Sequence, residues 1–193
     1  GSETGVHQDP TFVDEQNFCS ANVWVALQDT NEKNGNLFFI SGSNHAITSL
    51  RVTPSFPSYY DSFREIMPKL AVHVPLKKGE AVIFNNATIH GATENLSDEI
   101  RLAATLLICS ERAQWLLYYQ EEEKFSNKIG RYHLDLKTFF SISKNGRPNQ
   151  SALHSYIKYD YPKLTKEEFL NRISKKEGYL EQLARILEGN SKV

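Results

Sequence analysis

Residues 22–40 read NVWVALQDTNEKNGNLFFI, and this stretch decides the fold class. The run from Asn22 to Leu27 is β-branched and aromatic, as is typical of a strand, and Leu37 to Ile40 is a second apolar run. Between them, Asn31 to Gly35 has the composition of a tight turn and predicts a hairpin. The stretch therefore predicts two short strands joined by a turn.

The same pattern continues along the first 110 residues. Further strands are predicted at residues 70–74, 80–84 and 101–109, and turn-forming residues separate them. Residues 53–69 contain three prolines and predict an excursion with a single helical turn. Short strands at this spacing are typical of a barrel or a sandwich. We therefore predict a mainly β fold.

The C-terminal part of the chain has a different character. Residues 115–124 fit either a strand or a helix, and residues 138–162, rich in Tyr, Ser, Asn and Pro, predict a loop. A helix is predicted over residues 165–187, because Thr165 and Glu168 form a capping-box pattern ahead of apolar residues at helical spacing. We expect the acidic run Glu121 to Glu123 to form a solvated face.

Composition and charge exclude several function classes. The 193 residues include 22 Lys and Arg against 23 Asp and Glu, a net charge of −1 that argues against a generic nucleic-acid or anionic-membrane binder. No apolar run reaches the roughly 18–20 residues that span a bilayer. The two cysteines, Cys19 and Cys109, are too few for a disulfide scaffold and favour a reducing, cytoplasmic location. The expected partner is a small-molecule substrate, and the oligomeric state stays open.

His7-Gln8-Asp9 and His90 have the residue types of a metal site. Two imidazoles and one carboxylate form the facial triad that binds non-haem Fe(II) and leaves coordination positions open. In an extended segment residues i and i+2 share a face, so His7 and Asp9 can present both side chains to one metal. The alternative is a pair of surface polar residues beside a turn.

Arg101 follows His90 by eleven positions, at the head of the last long strand. A guanidinium binds a carboxylate bidentately and stays charged when buried, which suits the far end of a dicarboxylate cosubstrate. The alternative is an ordinary surface arginine. A second motif, His133-Leu134-Asp135, competes for the metal, but no strand headed by an arginine follows it. We expect His133 and Asp135 to make a polar contact in the tail.

Taken together, the motifs resemble the phytanoyl-CoA dioxygenase family of Fe(II)- and 2-oxoglutarate-dependent oxygenases. The resemblance covers about residues 5–109 and rests on the order and spacing of His7-Gln8-Asp9, VWVALQD at 23–29, NGNL at 34–37, Gly42-Ser43, LKKGE at 76–80, VIF at 82–84, His90-Gly91 and Arg101. The implied fold is a double-stranded β-helix, a jelly-roll, cupin-like barrel, here with a helical C-terminal tail.

The resemblance assigns a role to each site residue. His7, Asp9 and His90 would ligate Fe(II), Arg101 would bind the far carboxylate of 2-oxoglutarate, and Gln8 and Trp24 would line the cosubstrate pocket. Family members often have a serine two positions after the second histidine. Ala92 occupies that position here, and Thr88, Thr93 or Thr105 is expected to replace the serine.

The implied reaction is the hydroxylation of an unactivated C–H bond, in which O2 and 2-oxoglutarate give succinate and CO2, with ascorbate as an optional stimulant. Since Asp9 supplies the carboxylate ligand, we expect no position for the halide that halogenating relatives bind. Two alternatives stay open: a cupin-like metalloprotein with a different reaction, and a non-catalytic binding barrel.

We predict a catalytic core over residues 3–112 and a C-terminal extension of loop and helix, packed on that core, over residues 113–193. In the family, helices and an early barrel strand precede the His-x-Asp motif. The N-terminal part of the barrel is therefore expected to be missing from this chain.

Overall fold

A computed structural model describes residues 4–53, 60–121, 127–142, 146–161 and 163–174. The described strands are Thr4–His7 (β1), Ser20–Ala26 (β2), Leu37–Ile40 (β3), Ala71–Val74 (β4), Ala81–Asn85 (β5), His90–Ala92 (β6), Ala103–Cys109 (β7), Trp115–Gln120 (β8), Lys128–Leu134 (β9) and Leu153–Lys158 (β10). The helices are Ser43–Ala46 (α1), Met67–Leu70 (α2), Leu136–Ser141 (α3) and Lys166–Ser174 (α4), and 3₁₀ turns span Asp61–Ile66 and Gln150–Ala152.

Two antiparallel sheets enclose the core that positions the site. One sheet has the strand order β1-β6-β3-β4 and the other the order β5-β2-β7. Apolar side chains from both sheets pack between them: Trp24, Ala26, Leu37, Phe39, Leu76, Val82, Phe84 and Ala92. This arrangement confirms the predicted mainly β, jelly-roll fold class.

The hairpin predicted for residues 22–40 is wrong. Strand β2 pairs with β5 and β7, whereas β3 pairs with β4 and β6, so the turn at residues 31–35 carries the chain from one sheet to the other. The composition of the turn shows only that the chain reverses direction there. Burial decides which sheet each strand joins, because Trp24 and Leu37 pack in the same core from opposite sheets.

Helices cover the outer face of the four-stranded sheet. Their buried side chains form one cluster with those of the strands: Ile40, Ala46, Ile47, Tyr60, Phe63, Ile66, Met67, Ile89 and Phe169. Helix α4 begins with the predicted capping box, in which Thr165 N donates to Glu168 Oε2 and Glu168 N donates to Thr165 Oγ1. The rest of the predicted helix, residues 175–187, lies outside the described residues.

The outer face of the three-stranded sheet is apolar and open. Five of its large side chains are about half exposed or more: Leu27, Ile83, Leu102, Leu106 and Ile108. None of the described helices is both long and apolar enough to cross a membrane.

The third sheet, in the order β10-β9-β8, settles one open alternative in the tail and corrects two predictions. Residues 115–120, which fitted either a strand or a helix, are a strand, and the loop predicted over 138–162 contains the larger part of α3 and all of β10. The strand forms because Leu153, Ser155 and Ile157 alternate with exposed residues, a period-two pattern hidden among polar residues. Glu121 is also not solvated, since its side chain is 5% exposed and pairs with Arg147. Glu122 and Glu123 lie outside the described residues.

The third sheet is joined to the barrel through main-chain hydrogen bonds. Leu116 N donates to Phe12 O, Thr53 N to Tyr118 O and Gln120 N to Thr53 O. The sheet is therefore fixed against the two loops that follow β1 and α1.

Candidate metal centre

Strand pairing brings together the two ends of the candidate site. His7 ends β1 and lies opposite His90, which begins β6. Asp9 follows two residues after His7, and its main-chain N–H donates to Asn86 O, in the loop that leads to His90. Residues more than eighty positions apart in the sequence therefore meet at one edge of the four-stranded sheet.

The three side chains form a compact cluster. Asp9 Oδ1 is 3.9 Å from His7 Nε2, and Asp9 Oδ2 is 4.0 Å from His90 Nε2. One ligand atom from each residue lies within 4.8 Å of the other two, and no other such group of three occurs in the described part of the chain. His90 is buried, whereas His7 and Asp9 are half-buried. The cluster is thus accessible from one side.

Both imidazoles present the same nitrogen to the cluster. His7 Nδ1 lies 2.8 Å from Gly5 O, and His90 Nδ1 lies 2.9 Å from Thr88 O. A carbonyl oxygen only accepts, so each Nδ1 carries a proton, and in the neutral ring each Nε2 keeps its lone pair. The main chain therefore fixes the tautomer that a metal ligand needs.

The surroundings of His90 favour its neutral form. Burial lowers the pKa of His90, an effect that the nearby Asp9 carboxylate opposes. The ring lies 4.7 Å from that of Phe84 and 6.2 Å from that of Phe39, measured between ring centroids. The neutral imidazole is the form that binds a metal ion.

Asp9 is held at both its side chain and its main chain. Asn22 Nδ2 donates to Asp9 Oδ2 over 2.6 Å, and Arg51 Nε donates to Asp9 O over 2.5 Å. Arg51 also forms a two-pronged ion pair with Glu15. Sequence reasoning missed Asn22, Arg51 and Glu15. The available signal was Asn22, the polar residue that begins the run NVWVAL.

Arg101 lies on the same inner face as the cluster. Its guanidinium carbon is 6.0 Å from the centre of the Trp24 ring, and its Nη1 donates to Gly35 O. Trp24 and Asn22 alternate on one strand and therefore share a face, about 7 Å apart along β2. Since Asn22 contacts Asp9, the inner face of β2 connects Arg101 to the metal cluster.

The strand register shows which residues of β7 share the inner face of the sheet. Trp24 lies opposite Thr105, Ala26 opposite Ala103 and Asn22 opposite Leu107. Directly opposed residues point to the same side of a sheet. Ala103, Thr105 and Leu107 thus share the inner face with Trp24.

Two of the residues considered for the cosubstrate pocket make other contacts. The Gln8 amide donates to the carbonyls of Ala87 and Ile47, so the structure does not bring it to the metal cluster. The Thr93 hydroxyl bonds with Asn36. Ala92 is buried in the core between the sheets, where the family often has a serine. Of the expected replacements, Thr105 is the one that lies opposite Trp24.

The second His-x-Asp motif is built differently. His133 stacks on His154 with the ring centroids 3.9 Å apart and the planes 10° apart. Asp135 is the N-cap of α3 and accepts a hydrogen bond from Thr138 N over 2.6 Å. The carboxylate is thus used as a helix cap, which is consistent with the polar tail contact predicted for this motif.

Comparison with known proteins now defines the family. The profile of the phytanoyl-CoA dioxygenase (PhyH) family matches residues 1–103, more than half of the chain and the segment that contains the whole cluster and Arg101. The chain belongs to the phytanoyl-CoA dioxygenase family. Its resemblance to this family, inferred from motif order, is thereby confirmed.

Curated family members and solved structures give the extent of the match. The phytanoyl-CoA dioxygenase domain-containing protein 1 of Danio rerio is 39% identical over 123 residues, which are 60% of this chain and 42% of the relative. The Rattus norvegicus protein of the same name is 33% identical over 112 residues, 54% of this chain and 38% of the relative. The chain thus spans about two fifths of the length of these curated relatives.

Among solved structures, the non-haem α-ketoglutarate-dependent carbocyclase SnoK from nogalamycin biosynthesis shares the fold. It has a TM-score of 0.50 and 20% identity, covering 77% of this chain and 54% of its own. EvdO2 from Micromonospora carbonacea var. aurantiaca, solved with 2-oxoglutarate, has a TM-score of 0.43 and 28% identity, covering 57% of this chain and 46% of its own.

Proposed function

We propose that the protein is an Fe(II)- and 2-oxoglutarate-dependent dioxygenase that hydroxylates an unactivated C–H bond of a small-molecule substrate. The observation that carries this proposal is the His7, Asp9 and His90 cluster, in which both histidines hold the metal-binding tautomer. Membership of the phytanoyl-CoA dioxygenase family supports it. Residues 3–112 would form the catalytic core and residues 113–193 the extension.

The donor set fits Fe(II). Two imidazole nitrogens and one carboxylate form the facial set of non-haem iron oxygenases, and they leave positions for a chelating keto acid and for O2. When bound, the iron supplies the oxidising chemistry. The protein would hold the ligands and position the cosubstrate, and the burial of His90 beside Phe39 and Phe84 lowers its pKa and favours the neutral imidazole.

Arg101 would bind the distal carboxylate of 2-oxoglutarate. A guanidinium has five N–H donors, and in the described part of the chain one of those of Arg101 donates to Gly35 O. Trp24 lies beneath the guanidinium and would line the pocket. We assign to Thr105, on the same inner face, the hydroxyl contact that a serine at the position of Ala92 would make. Gln8, which the resemblance assigned to the pocket lining, donates to Ala87 O and would hold the loop that leads to His90.

The test is 2-oxoglutarate decarboxylation without added substrate, in the presence of Fe(II), O2 and ascorbate. We expect succinate and CO2 in amounts that depend on Fe(II). Bound iron without succinate would favour a cupin-like metalloprotein with another reaction. The absence of both iron binding and succinate would favour a non-catalytic binding barrel.

Once a substrate is found, the mass of its product in chloride-containing buffer tests hydroxylation, since a chlorinated product would contradict it.

We also propose a reducing, cytoplasmic location. Cys19 and Cys109 are both free thiols.

A further inference from the structure

Asn22 is a polar residue in an apolar strand. Strand β2 reads SANVWVA, and Asn22 lies between Phe84 of β5 and Leu107 of β7 in the sheet register. Placing an amide among apolar neighbours costs free energy unless the amide is hydrogen-bonded. Here Asn22 Nδ2 donates to the Asp9 carboxylate over 2.6 Å, a charge-assisted bond.

The bond fixes the rotation of the Asp9 carboxylate within the cluster. An aspartate carboxylate rotates over a broad range about its last torsion, so either oxygen can turn toward a metal. Asn22 holds Oδ2, which lies 4.0 Å from His90 Nε2, and Oδ1 then lies 3.9 Å from His7 Nε2. The bond therefore sets the orientation in which the carboxylate faces the two histidines.

We propose that Asn22 is a positioning residue that fixes the orientation of the Asp9 carboxylate for metal binding, an inference that rests on the proposed function. A carboxylate that is already held in this orientation does not have to be ordered when the ion binds. Asn22 acts through Asp9, because its donor atom contacts the carboxylate.

Metal binding by the metal-free protein tests the proposal. Fe(II) is titrated under anaerobic conditions, and Co(II) is titrated in parallel because its visible absorption reports coordination. We expect Asn22→Leu, which removes the donor at similar size, to weaken binding of both ions by roughly 10–100-fold and to change the Co(II) spectrum. Asn22→Gln, which keeps an amide on a longer side chain, should give an intermediate affinity.

The matched control is Asn127→Leu. Asn127 Nδ2 also donates to an aspartate, Asp160, which lies outside the cluster, and we expect wild-type metal affinity from this variant. Thermal unfolding of each metal-free variant checks the fold. If Asn22→Leu does not fold, Asn22→Gln decides the question by its affinity and Co(II) spectrum.

The outcomes separate this proposal from the proposed function. Wild-type affinity and an unchanged Co(II) spectrum in both Asn22 variants would overturn the positioning role and leave the metal site standing. A wild-type protein that binds neither ion would overturn the metal site and the role of Asn22 with it. Weakened binding in the Asn22 variants, with no succinate from the wild type, would support the positioning role and contradict only the oxygenase reaction.

Discussion

Replacing Arg51 with methionine should destabilise the protein and loosen Asp9. The Arg51 side chain is 6% exposed, pairs with Glu15 through two nitrogens, and donates to the Asp9 carbonyl. Methionine fills a similar volume without any donor. The Glu15 carboxylate and the Asp9 carbonyl would then both lose this partner.

The magnitude follows from the burial of the pair. Removing one partner of a buried ion pair costs about 3–5 kcal/mol. The Glu15 side chain is 26% exposed and recovers part of its hydration, so we expect a loss of about 2–4 kcal/mol from Arg51→Met. For a chain of this length, that corresponds to a decrease in Tm of roughly 5–15 °C.

The assay is urea unfolding of the metal-free protein, monitored by circular dichroism, for wild type, Arg51→Met, Glu15→Gln and the double variant. Because the pair is in direct contact, the double variant should be more stable than the sum of the single losses predicts, by about 1–3 kcal/mol. Strict additivity, or a loss below about 0.5 kcal/mol for Arg51→Met, would refute the reasoning. Fe(II) affinity should fall in Arg51→Met as well.

Three further predictions follow from the site and the packing. Arg101→Ala should raise KM for 2-oxoglutarate at least tenfold while Fe(II) affinity changes less, and an unchanged KM would remove Arg101 from the site. Burial and the nearby His154 lower the pKa of His133, so as the pH falls the histidine is protonated in the unfolded chain before it is protonated in the folded protein. The free energy of unfolding should therefore decrease as the pH drops below about 6.5. His133→Phe should reduce this pH dependence, which is measured by comparing urea midpoints at pH 5 and pH 7. Ile89→Ala, at a fully buried position, should lower the free energy of unfolding in urea by about 2–5 kcal/mol. Leu106→Ala, at a position 56% exposed, should lower it by less than about 1 kcal/mol. Equal losses in the two variants would contradict the assigned burial.

The barrel strands could be predicted from sequence because their signals are local. The predicted strand Leu37 to Ile40 has the same bounds in the structure, and residues 70–74, 80–84 and 101–109 differ from β4, β5 and β7 by one or two residues at their ends. Which strands pair is a property of the whole core. The hairpin prediction therefore failed at the turn that ends at Gly35.

The sequence predicts those residues of the candidate site that belong to motifs with a characteristic order and spacing. His7, Asp9 and His90 were chosen by residue type and spacing, and the structure brings them together. Their binding of a metal stays a prediction. Asn22 is 13 positions from Asp9 in the sequence and Arg51 is 42 positions from it. Their contacts with Asp9 depend on the folded chain, and no local sequence pattern encodes them.

Stoichiometric Fe(II) binding is the most direct test of the central claim that His7, Asp9 and His90 form one metal site. The metal-free protein, His90→Ala and His133→Ala are titrated with Fe(II) under anaerobic conditions. We predict one Fe(II) per chain for the wild type and for His133→Ala, and no stoichiometric binding for His90→Ala. Binding retained in His90→Ala and lost in His133→Ala would contradict the account.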